Sequence, residues 1–217
     1  MHRIAIIGVG KIGSTVLDLL VQTGDYQVLL IDQSEEGLTP FIGRDHVDQI
    51  AMAIEDPEAL AATLTRFGCF AVVNCAPYSL TTTVAQAAKA AGAMFGVSPG
   101  ATERLLDACA EHDLPLLPGA ATASEIMALL ERGYTVQKFF PAEQAGGAGY
   151  LKSIGSPIPQ VKFCPTGGIS LKNARDYLGL PNILCVGGSW VCPKDKMAAG
   201  DWAGIEALAR EAASLRS

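Results

Sequence analysis

Short apolar runs alternate with segments of helical period along this whole chain, and this alternation constrains the fold more than any other feature. The runs are rich in β-branched residues and end in Gly, Asn or Pro, as strands of repeated βα units do. Such units build a parallel sheet with helices on its faces. The predicted strands are Arg3 to Gly8, Gln27 to Asp32, Asp48 to Ala53, Phe70 to Cys75, Met94 to Ser98, Pro115 to Pro118, Gln137 to Phe140, Gln160 to Cys164 and Ile183 to Val186.

The segments between these runs carry recognisable helix ends. Asp56 suits an N-cap, Pro57 the first helical position and Gly68 the C-terminal stop. This pattern predicts a helix from about Glu58 to Phe67. By the same reasoning we predict helices at Thr82 to Ala90, Glu103 to Ala110, Ala123 to Glu131, Leu171 to Leu178 and Asp201 to Ser214.

Composition excludes several classes of protein. Of 217 residues, 49% are hydrophobic and 18% charged, which is typical of a globular chain. A net charge of −6 without Lys or Arg clusters argues against a nucleic-acid partner. No apolar run is long enough to cross a bilayer, so we expect no membrane association and a cytoplasmic setting.

The residues that most often bind metals are scattered in this sequence. The six cysteines form no CxxC pair, so we expect reduced thiols packed in the core. His2, His46 and His112 are isolated and lack the spacing of a zinc site. The sequence therefore predicts no metal site.

A glycine-rich turn follows the first predicted strand and opens a helix. In Gly8-Val9-Gly10-Lys11-Ile12-Gly13, the first glycine permits a tight turn, Gly10 lets a pyrophosphate approach and Gly13 allows close helix packing. Asp32 ends the second strand, where a carboxylate would bind ribose hydroxyls and favour NAD over NADP. The predicted dinucleotide site comprises Gly8, Gly10, Lys11, Ile12, Gly13 and Asp32. The alternative is a plain βα turn, with Asp32 capping a loop.

These motifs carry a resemblance to a known family. Residues Arg3 to Ala93, including Val72 to Tyr78 after the fourth strand, resemble the nucleotide-binding domain of the saccharopine dehydrogenase and reductase family. In that family a large second domain supplies substrate specificity, and nothing after Ala93 resembles one. The resemblance implies a Rossmann-type fold and a possible NAD site for residues 1–93.

The rest of the chain contains a different set of motifs, and these resemble a second family. Five blocks follow in order: Val97 to Gly100, Leu117 to Thr122, Lys138 to Glu143, Phe163 to Ile169 and Val186 to Trp190. They resemble 2-keto-3-deoxy-6-phosphogluconate (KDPG/KHG) aldolase from its fourth barrel strand to its C-terminus. The resemblance implies TIM-barrel (β/α) units for residues 94–217 and an aldolase chemistry that needs no cofactor.

Lys138 is the predicted catalytic residue. It lies in the apolar run Val136 to Phe140, where an ammonium would be poorly solvated and the free amine could attack a ketone. By resemblance it is the Schiff-base lysine. On pattern alone, a lone lysine in a strand is more often an edge residue whose stem packs on apolar surface.

Two glycine pairs at successive strand ends predict an anion site. Thr166-Gly167-Gly168 and Gly187-Gly188-Ser189 would expose backbone amides that can cradle a phosphate. By resemblance Thr166, Gly167, Gly168, Gly188 and Ser189 bind a substrate phosphate, and Pro99 and Phe140 line a pyruvoyl pocket. The alternatives are plain turns for the glycines and core packing for Pro99 and Phe140. Expected partners are phosphate, sulfate or a small phosphorylated or pyruvate-like ligand.

The aldolase blocks before the fourth strand are missing from the sequence. In the family they supply a glutamate base, an arginine and a threonine, and losing a positioned base typically lowers turnover about 10²- to 10⁴-fold. Asp32, Glu35 and Glu36 are substitutes only if the sheet closes in a suitable register. We therefore expect an engineered Rossmann/TIM-barrel chimera that keeps a phosphate site and Lys138 but has little or no turnover.

Two alternative functions remain open at this point. One is an active class I aldolase that releases pyruvate, and the other is an NAD-binding protein or oxidoreductase, for which no hydride-transfer residues are evident. For the architecture, we expect a hybrid α/β fold in which residues 1–93 and 94–217 pack as one continuous domain. Its single parallel sheet would be either strongly curled and open or closed into an irregular barrel.

Overall fold

The computed structural model describes residues 1–215, which form two compact units. The N-terminal unit comprises Met1–Gly96 and Thr102–Pro115, and the C-terminal unit comprises Val97–Ala101 and the chain from Leu116 onward. The boundary predicted between residues 93 and 94 concerns which family each segment resembles, and it remains a prediction.

The N-terminal unit contains a four-stranded parallel sheet of order β3-β2-β1-β4. Its strands are β1 (His2–Ile7), β2 (Tyr26–Asp32), β3 (Val47–Ala51) and β4 (Ala71–Asn74). Its helices are α1 (Lys11–Thr23), α2 (Glu35–Leu38), α3 (Pro57–Phe67), α4 (Thr81–Ala90) and α5 (Glu103–Glu111), with 3₁₀ turns at Thr39–Phe41 and Tyr78–Leu80. The order is that of a doubly wound dinucleotide-binding sheet.

Helix α3 shows how local chemistry defines an element in this unit. The Asp56 carboxylate accepts hydrogen bonds from the backbone N–H groups of Glu58 and Ala59, which satisfies two donors at the helix start. Gly68 ends the helix with a φ of 69°, a conformation that glycine adopts without steric cost. The helix predicted from Glu58 to Phe67 is confirmed.

Both faces of this sheet are buried, as expected for a parallel sheet between helices. Alternate residues of β1 point to opposite sides, so Ile7 packs with Leu60 and Leu64 of α3, while Ile6 packs with Leu17 of α1. The sheet therefore holds the carboxyl ends of its strands, and the loops that follow them, in fixed positions.

The C-terminal unit is built around a three-stranded parallel sheet of order β7-β8-β9. The strands from residue 96 onward are β5 (Gly96–Val97), β6 (Leu116–Leu117), β7 (Gly119–Ala120), β8 (Val136–Phe139) and β9 (Lys162–Pro165). The helices are α6 (Ala123–Glu131), α7 (Gly147–Ile154), α8 (Ala174–Leu178), α9 (Lys194–Ala198) and α10 (Trp202–Ser214), with a 3₁₀ turn at Ser189–Val191.

The segment after α8 continues this sheet without forming a regular strand. Parallel bridges join Phe163 to Ile183 and Thr166 to Gly187. The predicted strand from Ile183 to Val186 is therefore present only as these bridges, and it lies beside β9.

The predicted α/β class with parallel sheets is confirmed, but the strands of the described residues form three separate sheets and not one continuous sheet. None of these sheets closes into a barrel. The predicted strands Met94 to Ser98 and Pro115 to Pro118 shrink to two residues each in β5 and β6. Prolines and glycines interrupt these segments, and proline has no N–H to donate to a ladder, so the pairing stays short.

Within residues 1–215, none of the helices combines the length and apolar character that crossing a bilayer requires.

Candidate active site

Lys138 lies in the middle strand of the C-terminal sheet. In the β-ladder it is the partner of Gly119 on β7 and of Cys164 on β9. Its neighbours Gln137 and Phe139 are fully buried, and the Gln137 side-chain amide donates to the carbonyl of Ile126 in α6. Because side chains alternate along a strand, Lys138 points to the face opposite these buried residues.

The Lys138 side chain is half-buried and has an aromatic neighbour. Its Nζ lies 5.1 Å from the centre of the Phe140 ring, within the range of a cation–π contact. Phe140 directly follows β8 and also approaches the Thr166–Gly168 loop, because a Cβ on Gly167 would lie 3.4 Å from the Phe140 ring. Lys138, Phe140 and Gly167 are therefore neighbours at the carboxyl end of the sheet.

The Thr166–Gly168 loop is held tightly against the segment that follows β8. The N–H of Ala142 donates to the Thr166 carbonyl at 2.9 Å, and the N–H of Glu143 donates to the Gly167 carbonyl at 3.1 Å. Gly167 and Gly168 have φ values of 105° and 75°, where a side chain is strained. A Cβ on Gly168 would also lie 2.7 Å from the Glu143 side chain. The positive φ of both glycines, together with the close packing at Gly168, thus accounts for them without a ligand.

The second glycine pair packs in a similar way. Gly187 bridges to Thr166, and a Cβ there would lie 2.8 Å from the Thr166 Oγ1 atom. A Cβ on Gly188 would overlap the Trp190 ring, and Ser189 is exposed at the start of the following 3₁₀ turn. The two glycine loops therefore lie side by side.

Pro99 reaches the same sheet through β7. The N–H of Ser98 donates to the Leu117 carbonyl at 3.2 Å, and the absent side chain of Gly119 leaves room for the Pro99 backbone. Gly119 is in turn the ladder partner of Lys138. The structure thus places Pro99, Lys138, Phe140 and both glycine loops in one unit, along the carboxyl ends of its strands.

Glu143 and Tyr177 are contacts to which the sequence analysis assigned no role. The fully buried Tyr177 hydroxyl donates to the exposed Glu143 carboxylate. Burial, and then the neighbouring carboxylate, raise the pKa of the Tyr177 hydroxyl. Glu143 is the last residue of the aldolase-like block from Lys138 to Glu143, and this position could have marked it as a candidate site residue. Nothing in the sequence connects Glu143 with Tyr177.

A pair of thiols lies on the same sheet. All six cysteines are free, but Cys185 and Cys192 are exposed, so the expectation of core thiols is wrong for these two. The Sγ atoms of Cys164 and Cys185 are 3.2 Å apart. Burial, and then the Cys185 thiol, raise the pKa of Cys164 to about 11, while the Lys138 charge acts in the opposite direction.

The glycine-rich loop of the N-terminal unit has both packed and open positions. Gly8 has a φ of 92°, and a Cβ there would lie 2.8 Å from the Ala76 nitrogen, while a Cβ on Gly13 would overlap the Gly8 carbonyl oxygen. By contrast, no atom of the described chain lies within 4 Å of a Cβ built on Gly10. The fold therefore requires Gly8 and Gly13 but not Gly10.

Asp32 stabilises this loop through both of its carboxylate oxygens. Oδ2 accepts from the Val9 N–H at 2.8 Å and Oδ1 from the Ser34 N–H at 2.9 Å. A carboxylate has further lone pairs, so these bonds leave acceptor capacity for ribose hydroxyls. Lys11 and Ile12 are exposed in the first turn of α1, which no side chain within residues 1–215 caps. These residues fit a dinucleotide pyrophosphate at a helix N-terminus.

In the part of the chain that the structure describes, no group of three or more His, Cys, Asp or Glu side chains is arranged to hold a metal ion.

The chain has an α/β fold with parallel sheets that is similar to the fold of solved aldolases, although its sheets are not closed. A Legionella pneumophila KDPG aldolase, with pyruvate captured as a covalent carbinolamine intermediate, is 32% identical with a TM-score of 0.59, covering 97% of this chain and 93% of that chain. The Zymomonas mobilis ATCC 29191 KDPG aldolase is 32% identical with a TM-score of 0.55, covering 97% and 91%.

The sequence pattern of the family described as KDPG and KHG aldolase matches residues 63–208, and the chain belongs to this family. A second pattern, the saccharopine dehydrogenase NADP-binding domain, matches residues 4–96. The two matches overlap at residues 63–96, which contain the end of α3 together with β4 and α4. The aldolase match therefore begins well before residue 93, where the sequence predicted the boundary between the two family segments. The βα unit in the overlap matches both family patterns.

Curated relatives cover mainly the second half of the chain. The Dickeya dadantii and Pseudomonas aeruginosa proteins named 2-dehydro-3-deoxy-phosphogluconate aldolase are 55% and 52% identical over 123 and 126 residues. These matches cover 57% and 58% of this chain, and 58% and 57% of the respective relatives. The chain thus spans somewhat more than half the length of those relatives. A Treponema pallidum aldolase of the same name is 44% identical over 154 residues, covering 71% of this chain and 72% of that protein.

These findings correct one sequence-based expectation. An engineered chimera with little or no turnover is contradicted, because relatives 52–55% identical are named as aldolases. The expectation of two family segments in one chain agrees with the two matched patterns.

Proposed function

We propose that this chain is a class I aldolase that cleaves a phosphorylated 2-keto-3-deoxy sugar acid and releases pyruvate. The observation that carries the proposal is the half-buried Lys138 amine in the same sheet as two adjacent glycine loops. The names of the relatives, and the pyruvate captured as a covalent carbinolamine in the Legionella pneumophila aldolase, support the same chemistry.

In the proposed reaction the Lys138 amine attacks the substrate C2 ketone. Loss of water from the carbinolamine forms an iminium ion, which accepts the electron pair of the C3–C4 bond when that bond breaks. The C4 hydroxyl loses its proton as the aldehyde product leaves, and the enamine is then protonated at C3 and hydrolysed to pyruvate. The Phe140 ring would stabilise the cationic imine through its face.

We assign the substrate phosphate to the two glycine loops. Thr166, Gly167, Gly168, Gly188 and Ser189 would contribute backbone N–H groups and hydroxyls, the usual donors to phosphate at the ends of barrel strands. Pro99 and Phe140 would bound the pyruvoyl group. The pairing of Thr166 with Gly187 brings the two loops together and supports this assignment.

We assign proton transfer to the Glu143 carboxylate. Carbinolamine dehydration and C–C cleavage both need an acid–base group within reach of the substrate. Glu143 supports this role because its N–H binds the Gly167 carbonyl and its side chain lies against Gly168. The Tyr177 hydroxyl would orient the carboxylate.

The experiment is a coupled assay of pyruvate release, combined with borohydride trapping of pyruvate on the protein. Lys138→Arg keeps the positive charge but cannot form an imine, because a guanidinium does not deprotonate in proteins. We expect background turnover and no trapped adduct in this variant. Lys152→Arg, at an exposed position in the last turn of α7, is the matched control and should behave as wild type. Wild-type turnover at background, or trapping that survives in Lys138→Arg, would refute the proposal.

A second candidate function is dinucleotide binding by the N-terminal unit, and the open space in front of Gly10 favours it. Gly8, Gly10, Lys11, Ile12 and Gly13 would hold the pyrophosphate, and Asp32 would accept from the ribose. A bound nicotinamide dinucleotide supplies hydride chemistry, but we assign no hydride-transfer residues in this chain. The Asp32 carboxylate would repel a 2′-phosphate, so we propose NAD rather than NADP.

Calorimetry with NAD and NADP tests this second candidate. Gly10→Ala should weaken NAD binding about 10- to 100-fold, since losing one charge-assisted hydrogen bond amounts to about 1.5–3 kcal/mol. Gly149→Ala is the control, because its Cβ also meets no atom of the described chain. Equal affinity for NAD in wild type and Gly10→Ala would remove the site.

A further inference from the structure

Two thiols of the C-terminal unit face each other next to the proposed Schiff-base lysine. Cys164 lies on β9, and Cys185 lies on the neighbouring segment that bridges to β9 at Ile183 and Gly187. Their Sγ atoms are 3.2 Å apart, with one thiol placed to donate to the other. Neither thiol is used in the proposed aldolase chemistry.

The backbone geometry suits a covalent bond between these sulfurs. Both residues lie between the bridges Phe163–Ile183 and Thr166–Gly187, so their backbones run side by side. The Sγ atoms need to close by only about 1 Å to reach the bond length of about 2.05 Å. A side-chain rotation can supply this movement, so no strand has to leave the sheet.

The two sulfurs differ in access. Cys185 is exposed, whereas Cys164 is partly buried beneath it. An attacking reagent therefore meets Cys185 first, and Cys164 is placed to displace whatever becomes attached there. This arrangement is that of an attacking thiol with a resolving thiol behind it.

We propose that Cys164 and Cys185 form a modification site that small disulfides, such as oxidised glutathione, convert reversibly into an intramolecular disulfide. The Cys185 thiolate attacks one sulfur of the small disulfide, breaks its S–S bond and releases one thiol. Cys164 then loses its proton to solvent and attacks the Cys185 sulfur, which forms the protein disulfide and releases the second thiol. Two protein thiols are oxidised, and one small disulfide is reduced to two thiols.

The site is coupled to Lys138 through the β-ladder. Cys164 is the ladder partner of Lys138, and Cys185 precedes Gly187 and Gly188 by two and three positions. Closing the disulfide shifts atoms on both sides of the proposed substrate site. This consequence for activity rests on the proposed aldolase function, whereas formation of the disulfide does not.

The first experiment measures the disulfide itself. Reduced full-length protein is incubated with oxidised glutathione, quenched with an alkylating reagent, digested and mapped by mass spectrometry. We expect a cross-linked peptide joining Cys164 and Cys185, with the loss of two hydrogens. Cys164→Ser should instead stop at a glutathione adduct on Cys185.

Cys192→Ser is the matched control, because Cys192 is also exposed in the C-terminal unit. It should give the same cross-link as wild type. A lasting glutathione adduct on Cys185 of the wild type, or a cross-link that instead uses Cys192, would overturn the proposal.

The second experiment measures borohydride-trapped pyruvate in reduced, oxidised and re-reduced protein. We expect at least about a tenfold lower trapping rate after oxidation, recovered on reduction, because displacements of about 1 Å at reacting groups have effects of this order or larger. A disulfide that leaves trapping unchanged would overturn the coupling to Lys138. A reduced wild type that traps no pyruvate would instead refute the aldolase proposal, and the peptide map would still decide the thiol site.

Discussion

The glycine motifs of the two units resemble each other in sequence but differ in what surrounds them. In the N-terminal loop, Gly8 and Gly13 are packed against backbone, whereas Gly10 faces open space. In the C-terminal unit, a Cβ on Gly168, Gly187 or Gly188 would meet a neighbouring side chain.

This difference separates two reasons for a glycine. A packed glycine is explained by the fold, so its presence carries little information about a ligand. A glycine with open space and an ordinary φ, such as Gly10, has no such explanation, so its substitution can test ligand binding without disturbing the packing. In the C-terminal loops, the proposed site has to be tested by substituting residues other than their glycines.

In the C-terminal unit, apart from Lys138, the substitution with the largest expected effect on activity is at Glu143. We expect Glu143→Gln to lower kcat about 10²- to 10⁴-fold, because the amide cannot take up a proton. KM should change much less, and the hydrogen bond from Tyr177 can be kept by the amide oxygen. The coupled pyruvate assay measures both constants.

Glu111→Gln, an exposed substitution at the end of α5, is the control for Glu143→Gln and should leave kcat unchanged. A Glu143→Gln enzyme with full kcat would show that another group transfers the proton.

Packed and open glycines should also differ in their effect on stability. We expect Gly13→Ala and Gly119→Ala each to lower the free energy of unfolding by about 3 kcal/mol, because each new Cβ would overlap a backbone carbonyl that cannot move aside. Gly10→Ala should stay within about 0.5 kcal/mol of wild type. Urea unfolding at constant pH measures all three.

The comparison between packed and open glycines fails if Gly10→Ala destabilises the protein as much as Gly13→Ala does.

The Tyr177–Glu143 contact should make stability fall in alkaline solution. The folded-state pKa of Tyr177 is raised above the unfolded value of about 10, so the unfolded chain loses this proton first. The contribution of Tyr177 is fully present below pH about 10 and declines as pH rises towards the folded-state pKa. We expect Tyr177→Phe to flatten the decline, as measured by urea midpoints between about pH 9 and 11.

Tyr78→Phe, at an exposed tyrosine, serves as the reference for the alkaline series. A decline of equal slope in wild type and Tyr177→Phe would contradict the expectation.

Local signals accounted for much of the N-terminal fold. Helix α3 was predictable because Asp56, Pro57 and Gly68 act on their own neighbours in sequence, and β1, β2 and β4 were predictable from continuous apolar runs. The short pairings at β5 and β6 were not, because they depend on where prolines and glycines let two distant segments meet. The single continuous sheet was wrong for the same reason.

For the candidate site too, some residues could be predicted from the sequence and others could not. Lys138 and the glycine loops were predicted as site residues from sequence blocks, and the structure places them in one unit. The Tyr177–Glu143 bond and the Cys164–Cys185 contact join residues 34 and 21 positions apart, and no local pattern connects them.

Sequence alone determined which segments form most of the strands and helices, because capping, chain stiffness and hydrophobic period act over a few residues. It also determined which functional groups are available for chemistry, whereas the pKa of each group depends on its burial and its neighbours. Only the tertiary structure decided which of these groups are in contact and at which glycines neighbouring atoms leave no room for a side chain. Those outcomes depend on register and packing between segments far apart in the chain, where an offset of one residue turns a side chain to the opposite face.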